Sequence, residues 1–306
     1  MIRGVIYLID ASVYIFRAYY SMPPDMTDRD GAPAHATFGF ARFLGDLIER
    51  AQPHYIAVAF DESLSTSFRN QIYPAYKANR DPPPEDLKLQ FLRCQEFCRH
   101  AGVACFSHAE YEADDIVGTL MTLCRREGLP ATLVTRDKDF AQLIRESDVY
   151  WDYTDNARYR YHEIEDRFGV APERFADFLA LMGDSVDNIK GVPGVGPKTA
   201  AALMKEFVSL EELYDNLDKV ASIPVRGAGK LAAKLIEHRD AAFLARRLTE
   251  IACNMPIATG RAELERRAPD TRALTDFFDR HNFGPSLRRQ AERLALLPLR
   301  AAVAAA

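Results

Sequence analysis

The sequence predicts an α/β domain with a mostly parallel sheet, followed by a smaller helical domain. Three observations lead to this prediction. In the first half, short apolar runs alternate with longer amphipathic segments, the order that builds a parallel sheet with helices packed on its faces. Beyond about residue 168 the strand-like runs disappear and helical patterns with short turns take over. The length of 306 residues is enough for two domains that each bury a core.

Each predicted strand is a short apolar run bounded by polar or turn-forming residues. The strands span 6–9, 55–60, 103–106 and 131–135, and 148–153 with 158–161 form further strands or a hairpin. The helices, recognised by apolar residues at helical spacing, span 112–127, 172–182, 198–207, 209–217, 230–248 and 270–297. We expect domains over 1–168 and 169–306, with an insertion at about 62–110, where the prolines at 82–84 interrupt any helix.

Composition excludes several classes of protein. An apolar fraction of 48% with 27% charged residues is typical of a folded globular chain and unlike that of a disordered one. No apolar run reaches the roughly 18 residues of a membrane span, so we expect a cytoplasmic protein. Five cysteines without a framework spacing predict reduced thiols. The net charge of −5 disfavours a nucleic acid as binding partner. Residues 188–205, however, contain three lysines and no acid.

Acidic residues come at the ends of predicted strands. Asp10 follows the first strand, Asp61 follows the second, and Asp137 and Asp139 follow the strand at 131–135. Because the carboxyl ends of parallel strands face a common crevice, we expect these side chains to converge. Two further acidic groups accompany predicted helices. They are Glu112, Asp114 and Asp115, and then Asp184 and Asp187.

Two interpretations of these acids remain open from the residues alone. Any one of them is typical of a helix cap, since Asp is favoured at N-caps and in first turns. Nine carboxylates in one crevice, however, would raise one another's pKa and would need cations to stay ionised together. Ligands that are all oxygen select hard ions, Mg²⁺ or Mn²⁺. Several acids around two or more such ions match two-metal hydrolysis of a phosphodiester.

Two segments are typical of nucleic-acid binding. The loop from Gly191 to Gly196 precedes a helix that carries Lys198 and Thr199, and its glycines let backbone amides approach a phosphate. An ordinary helix–helix turn is the alternative. A similar run, Val225 to Lys230, opens another Ala-rich helix. In the insertion, aromatic and basic residues alternate as in single-strand binders, with a solvated surface as the alternative. They are Tyr73, Tyr76, Lys77 and Arg80.

A zinc site is the rival metal interpretation. Its possible ligands lie close together in the chain, at Cys94, Cys98, His100, Cys105 and His108. Cys94 and Cys98 nevertheless continue an apolar helical stripe, and no paired C-x-x-C accompanies them, which favours core packing. The remaining histidines show no ligand or triad spacing, and no nucleophilic serine or cysteine signature appears.

Several long motifs in a fixed order resemble the 5′ nucleases, the family that includes the N-terminal domain of bacterial DNA polymerase I, free-standing 5′ to 3′ exonucleases and flap endonucleases. The similarity runs from about Ile6 to Phe283. The motifs are LID at Asp10, FD at Asp61 with SFR at Arg69, YKANR at 76–80, YEADD at 111–115, TRDKD at 135–139, GDSVDN at 183–188 and GVPGVGPKTA at 191–200.

The resemblance implies a PIN-like nuclease core with two Mg²⁺ sites and a helical domain with a helix-three-turn-helix motif. The acids of the first site would be Asp10, Asp61, Glu112, Asp114 and Asp115, and those of the second Asp137, Asp139, Asp184 and Asp187. Lys77 and Arg80 match cations that contact the scissile phosphate, and Tyr76 matches an aromatic that stacks on a terminal base. The expected DNA contacts are Arg69, Tyr76, Lys190, Gly191, Val192, Gly194, Gly196, Lys198 and Thr199.

The resemblance also implies an activity and its partners. We expect a monomeric enzyme that cleaves DNA at 5′ ends, flaps or branched duplex, leaves 5′-phosphate and 3′-hydroxyl products, and holds K⁺ at the hairpin. Binding to DNA would associate this cytoplasmic protein with the nucleoid. A non-catalytic module that binds DNA junctions and a PIN-like enzyme that cleaves RNA remain alternatives. A haloacid-dehalogenase-like phosphatase is disfavoured, because Ser12 stands where its second Asp is required. Arg136 and Lys190 depart from the family pattern and add positive charge near expected phosphate positions.

Overall fold

The computed structural model of the chain describes residues 4–62, 66–257 and 259–299. Its described strands and helices are, in chain order, β1 (Ile6–Asp10), α1 (Ala11–Ser21), α2 (His35–Ala51), β2 (Tyr55–Asp61), α3 (Phe68–Ile72), α4 (Glu85–His100), β3 (Ala104–His108), α5 (Ala113–Arg126), β4 (Ala131–Val134), β5 (Val149–Asp152), β6 (Ala157–Arg160), α6 (Tyr161–Phe168), α7 (Phe175–Met182), α8 (Pro197–Glu206), α9 (Leu210–Asp215), α10 (Ala228–Glu237), α11 (Arg239–Thr249), α12 (Thr271–Arg280) and α13 (Pro285–Leu296). Short 3-10 helices span Lys138–Leu143, Pro172–Arg174, Leu217–Ser222 and Arg261–Leu264.

The described residues divide into two compact units built from separate stretches of chain. The first unit takes those of Met1–Glu62, Pro82–Thr135 and Cys253–Ala306, and the second takes those of Ser63–Asp81 and Arg136–Ala252. This grouping differs from the contiguous domains expected on either side of residue 168. The difference arises because part of the expected insertion packs with the later helices, whereas the last two helices pack with the first unit.

The first unit contains a parallel sheet. Strand β1 pairs in parallel with β2 on one side and with β4 on the other, and β3 pairs in parallel with β2. The residues of β1, β2 and β4 are nearly all buried, so these strands read as continuous apolar runs without alternation. Helices cover the sheet, among them α1, α4 and α5. The predicted α/β class with a mostly parallel sheet is confirmed.

The second unit contains an antiparallel pair and a set of helices. Strands β5 and β6 pair antiparallel, with Val149 opposite Arg160. Helix α7 packs against α8 and α11, and apolar side chains from α7 to α11 are buried in its core. The predicted change from strands to helices at about residue 168 is confirmed, because no strand of the described residues follows β6.

Three predicted helices are interrupted in the structure. The segment predicted at 230–248 forms α10 and α11, which meet at His238. The segment predicted at 270–297 forms α12 and α13, because Asn282 has a left-handed φ of 54° and Pro285 opens a new helix at its first position. The segment predicted at 172–182 begins as a 3-10 turn before α7. In the described part of the chain, no helix has the length and apolar character of a membrane span.

Candidate metal centre and nucleic-acid surface

The first acidic cluster lies at the carboxyl ends of β1 and β2. Asp10 and Asp61 are the last residues of these neighbouring parallel strands, so both project at the same edge of the sheet. Ser12 links them, because its backbone N–H donates to Asp10 Oδ1 at 3.1 Å and its hydroxyl donates to Asp61 Oδ2 at 2.6 Å. Thr135 Oγ1 donates to Asp10 Oδ2 at 3.0 Å. The two carboxylates are therefore held in fixed orientations.

The start of α5 lies beside this cluster and carries three more of the predicted acids. The backbone N–H of Ala113 donates to Asp61 Oδ1 at 2.8 Å, which ties the first turn of the helix to the end of β2. Asp115 accepts a hydrogen bond from the backbone N–H of Glu112 at 3.1 Å and is fully buried. Asp114 accepts from the backbone N–H of Asp115 at 2.7 Å. Glu112 and Asp115 form a capping box at the start of the helix, as the sequence allowed, and the Ala113 hydrogen bond places this turn beside Asp61.

The second acidic cluster lies in the second unit, around Lys138. The ammonium of Lys138 is 2.7 Å from Asp184 Oδ2 and 3.8 Å from Asp139 Oδ1. Asp137 accepts a hydrogen bond from the backbone N–H of Asp139 at 2.9 Å. Asp184 also accepts from the backbone N–H of Val186 at 2.8 Å. The sequence predicted the four acids of this cluster but not the lysine that joins two of them.

Burial and mutual repulsion raise the pKa of two of these carboxylates. Desolvation and repulsion from Asp137 raise the pKa of Asp139 well above its ordinary value, although Lys138 offsets part of the effect. Desolvation, and then repulsion from Asp187, also raises the pKa of Asp137. For Asp184, desolvation is outweighed by the hydrogen bond and charge of Lys138, and the pKa is lowered. The cluster is therefore short of positive charge around Asp137 and Asp139.

A basic segment of the insertion supplies positive charge to Asp187. Lys77 Nζ lies 3.9 Å from Asp187 Oδ2, and the guanidinium of Arg80 hydrogen-bonds Asp187 Oδ1. The backbone N–H of Lys77 donates to the Asp187 carbonyl at 3.0 Å, and Asn79 Nδ2 donates to the carbonyl of Ser185 at 2.9 Å. The side chains of Lys77 and Arg80 are 11% and 35% exposed. Both predicted phosphate-binding cations therefore lie beside the second acidic cluster.

Two residues of the same segment lie in the interior. Arg69 is 1% exposed, and its guanidinium donates to the carbonyls of Leu248 and Glu250, each at 2.9 Å. Tyr76 is 3% exposed, and its hydroxyl is 3.3 Å from Asp187 Oδ2. A buried guanidinium and a buried ring are not available to phosphates and bases. We therefore assign Arg69 and Tyr76 to the packing of the second unit instead of the expected DNA-binding surface.

The donor set of both clusters fits hard metal ions. Every predicted ligand is a carboxylate, the type that Mg²⁺ and Mn²⁺ prefer. Asp139 Oδ1 is buried and accepts no hydrogen bond from the described residues, as a ligand atom would. Among those residues, however, no group of three or more His, Cys, Asp or Glu side chains is placed to hold an ion. In the second cluster, lysine and arginine contact the carboxylates instead.

The cysteines behave as core residues. Burial raises the pKa of the Cys94 and Cys98 thiols well above their ordinary value. Both side chains are fully buried on α4. A thiolate is the form that binds zinc, and this environment opposes it. The structure thus agrees with the interpretation of these residues as packing.

The predicted hairpin forms a turn between α7 and α8. Gly194 has a φ of 82°, which favours glycine, and the backbone N–H of Val195 donates to the Val192 carbonyl at 3.0 Å. Gly191 contacts the backbone of Gly183 so closely that a Cβ there would lie 2.3 Å from the Gly183 nitrogen. Val192 is buried and its N–H donates to the Leu181 carbonyl at 2.9 Å. Gly191 and Val192 therefore build the turn rather than face a ligand.

Other parts of the hairpin are open to a partner. Lys190, Gly194, Gly196 and Lys198 are exposed, and Thr199 is half-buried in the first turn of α8. A Cβ at Gly196 would meet nothing within 4 Å. The expectation that these residues contact DNA stays a prediction.

Sequence reasoning missed several residues that orient the acids. Ser12 and Thr135 hold the carboxylates of the first cluster, and Lys138 joins those of the second. Their positions within two residues of a strand-end acid are the signal that would have found them, because such neighbours share the same sheet edge. Arg136, a departure from the family pattern, pairs with Asp152 at 3.2 Å and so faces an acid of β5.

Comparison with known proteins decides the family. A family model described as the 5′-3′ exonuclease N-terminal resolvase-like domain matches residues 5–169, and a model described as the 5′-3′ exonuclease C-terminal SAM fold matches residues 170–272. The chain belongs to the 5′-3′ exonuclease family.

Its relatives fall into two groups. A 5′-3′ exonuclease of Buchnera aphidicola from Baizongia pistaciae is 33% identical over 276 residues, which cover 90% of this chain and 91% of the relative. DNA polymerase I of Pseudomonas aeruginosa is 38% identical over 275 residues, which cover 90% of this chain and 30% of the relative. This chain therefore spans about a third of the length of its polymerase relatives.

Solved structures share the fold. A phage T5 5′-exonuclease with bound zinc superposes with a TM-score of 0.65 at 20% identity, covering 95% of this chain and 98% of that one. The catalytic core of Rad2 in complex with a DNA substrate gives a TM-score of 0.62 at 16% identity, covering 97% of this chain and 92% of that one. These similarities support the fold of the 5′-3′ exonuclease family member described here.

Proposed function

We propose that the chain is a divalent-metal-dependent 5′ nuclease that hydrolyses phosphodiester bonds of DNA at 5′ ends, flaps or branches. Membership of the 5′-3′ exonuclease family over both of its domain models carries this proposal. The Buchnera relative of nearly the same length is a 5′-3′ exonuclease, and structural neighbours were solved with divalent ions or DNA. The all-carboxylate donor set of the two acidic clusters supports a metal mechanism.

In the proposed mechanism, the five acids of the first cluster and the four acids of the second would each hold at least one ion, Mg²⁺ or Mn²⁺. Such ions, when bound, supply a deprotonated water and stabilise the leaving oxygen. Ser12 and Thr135 keep Asp61 and Asp10 oriented for this task. The products would carry 5′-phosphate and 3′-hydroxyl ends.

The chain's own cations provide the second part of the mechanism. Lys77 and Arg80 place two positive charges beside Asp187 with part of each side chain exposed. Such charges would contact the scissile phosphate and stabilise the negative charge that develops in the transition state. The exposed backbone of the hairpin at 194–196 would bind duplex phosphates, and its carbonyls are the proposed K⁺ ligands.

A cleavage assay tests the proposal. DNA with a labelled 5′ flap, nicked duplex and blunt duplex are each incubated with Mg²⁺ and, separately, with EDTA, and the products are sized. We expect metal-dependent cleavage of at least one of these DNAs. RNA counterparts of each substrate are included. Cleavage of RNA but not of DNA would mean that the substrate is RNA.

Paired variants assign the clusters. Asp61→Asn changes the first cluster and Asp139→Asn the second, while Asp30→Asn and Asp218→Asn remove the same charge from exposed positions in the same two units. We expect the cleavage rate of both cluster variants to fall by more than the roughly 100-fold that changes around metal ligands cause. The two control variants should cleave as the wild type does. DNA binding without any cleavage by the wild type would favour a junction-binding module instead.

A further inference from the structure

The second unit contains two copies of the same turn. In the first, Val195 N–H donates to the Val192 carbonyl at 3.0 Å, and Gly194 between them has a φ of 82°. In the second, Ala228 N–H donates to the Val225 carbonyl at 3.3 Å, and Gly227 also has a φ of 82°. Glycine at the third position with positive φ is the requirement of a type II turn. The similarity seen in the sequence is therefore a similarity of backbone.

Lys234 connects the two turns. It lies on α10, the helix that the second turn opens, and its ammonium reaches the first turn. A Cβ at Gly194 would lie 2.7 Å from Lys234 Nζ. Both turns therefore contribute to one surface of the second unit.

This surface is basic. We call it the basic patch and define it as Lys198, Arg226, Lys230 and Lys234. All four residues are exposed, and none of them forms an ion pair with a described residue. Their charges therefore remain available, in contrast to Lys77 and Lys138, which contact carboxylates of the second cluster.

The backbone around the second turn is also accessible. A Cβ at Gly227 or at Gly229 would meet nothing within 4 Å, so a partner has room to approach the main chain there. Unpaired cations around an open backbone suit a partner with closely spaced negative charges, which describes the phosphates of a nucleic acid. The patch as defined carries four cations and no aromatic residue, which favours a duplex backbone over stacked single-strand bases.

We propose that the second turn is a second duplex-binding element, in which Arg226, Lys230 and Lys234 contact DNA phosphates next to those contacted from the first turn. This inference rests on the proposed function and extends it, because it lengthens the duplex that the protein holds. The affinity contributed by these contacts is independent of base sequence and depends strongly on salt.

Salt-dependent binding tests the inference. The probe is a fluorescein-labelled 20-base-pair DNA duplex, titrated with the full chain in EDTA at KCl concentrations from 50 to 200 mM. The test variant combines R226Q, K230Q and K234Q. The single variant K198Q serves as a first-turn reference, and K205Q, at the other end of α8 and outside both turns, is the control.

We expect each lost phosphate contact to lower the slope of log K against log salt by about 0.9, and the triple variant to lower it by about 3. Between 50 and 200 mM KCl, the wild type should then lose about 40-fold more affinity than the triple variant loses. K205Q should match the wild type. Thermal unfolding of each variant shows that it is folded.

The outcomes separate this inference from the proposed function. A wild-type slope in the folded triple variant would overturn the inference, and the patch would then serve another polyanion, such as an acidic protein segment. Failure of the wild type to cleave any DNA with Mg²⁺ would instead overturn the proposed function. Because binding is measured without metal, the slope reports on the patch in either case.

Discussion

Replacement of Arg69 by alanine tests the assignment of this residue to the interior. Its guanidinium is 1% exposed and donates to the carbonyls of Leu248 and Glu250, each at 2.9 Å. Both carbonyls belong to the C-terminal end of α11, where backbone oxygens lack partners within the helix and a positive charge is favourable. The arginine thus fastens the segment that carries Lys77 and Arg80 to α11.

The magnitude follows from these two bonds. A hydrogen bond that involves a charged group contributes about 1.5–3 kcal/mol, so the loss of two costs about 4 kcal/mol of unfolding free energy. A shift of about 2–4 °C per kcal/mol then places the loss of melting temperature at about 8–16 °C. Replacement of a surface arginine without these bonds, such as Arg226, by alanine should lower the unfolding free energy by less than about 0.5 kcal/mol.

Calorimetry and DNA binding together decide the role of Arg69. The Arg69→Ala variant and the Arg226→Ala control are melted side by side, and their binding to duplex DNA is titrated at 10 °C, where both remain folded. We expect a large loss of melting temperature with an unchanged salt slope for Arg69→Ala, and the reverse for Arg226→Ala. An Arg69→Ala variant that melts like the wild type and binds DNA with a reduced slope would refute the burial argument.

Three further predictions concern stability and metal use. Desolvation lowers the pKa of the buried His281 to about 4, so the unfolded chain binds a proton that the folded one excludes. Unfolding free energy should therefore fall by about 3 kcal/mol between pH 6.5 and 4, and His281→Phe should remove this part of the slope in denaturant titrations. Gly191→Ala should cost about 3 kcal/mol by the same assay, because its Cβ would clash with backbone, whereas Gly196→Ala meets open space and should be neutral. Ser12→Ala removes the hydroxyl that orients Asp61, so half-maximal cleavage should need at least about 10-fold more Mg²⁺.

Each of these has a clear contrary result. If the unfolding free energy of His281→Phe depends on pH as that of the wild type does, another group causes the dependence. Equal stability of the two glycine variants would contradict the close approach of Gly191 to Gly183. An unchanged Mg²⁺ dependence in Ser12→Ala would mean that Asp61 does not depend on the serine for its orientation.

The strand-end acids of the candidate site could be predicted from the sequence, because the order of parallel strands fixes which residues lie at one edge of the sheet. An acid at the end of one strand and an acid at the end of the neighbouring strand must share an edge, as Asp10 and Asp61 do. The hairpin was equally visible, since only glycine suits the left-handed backbone at position 194. The orienting partners were harder to find, because a hydroxyl near an acid is common in any sequence.

The sequence by itself determined the elements, the fold class and the residue types of the candidate site. Apolar periodicity and turn residues act over a few positions, and they were sufficient to predict β1, β2, β4 and the helical second half. Only the tertiary structure decided which of the basic residues are buried and which are exposed. Arg69 donates to the carbonyl of Leu248, 179 residues later in the chain, and the ammonium of Lys234 lies beside Gly194, 40 residues earlier. Such contacts depend on how separate segments pack, a property that no local pattern encodes.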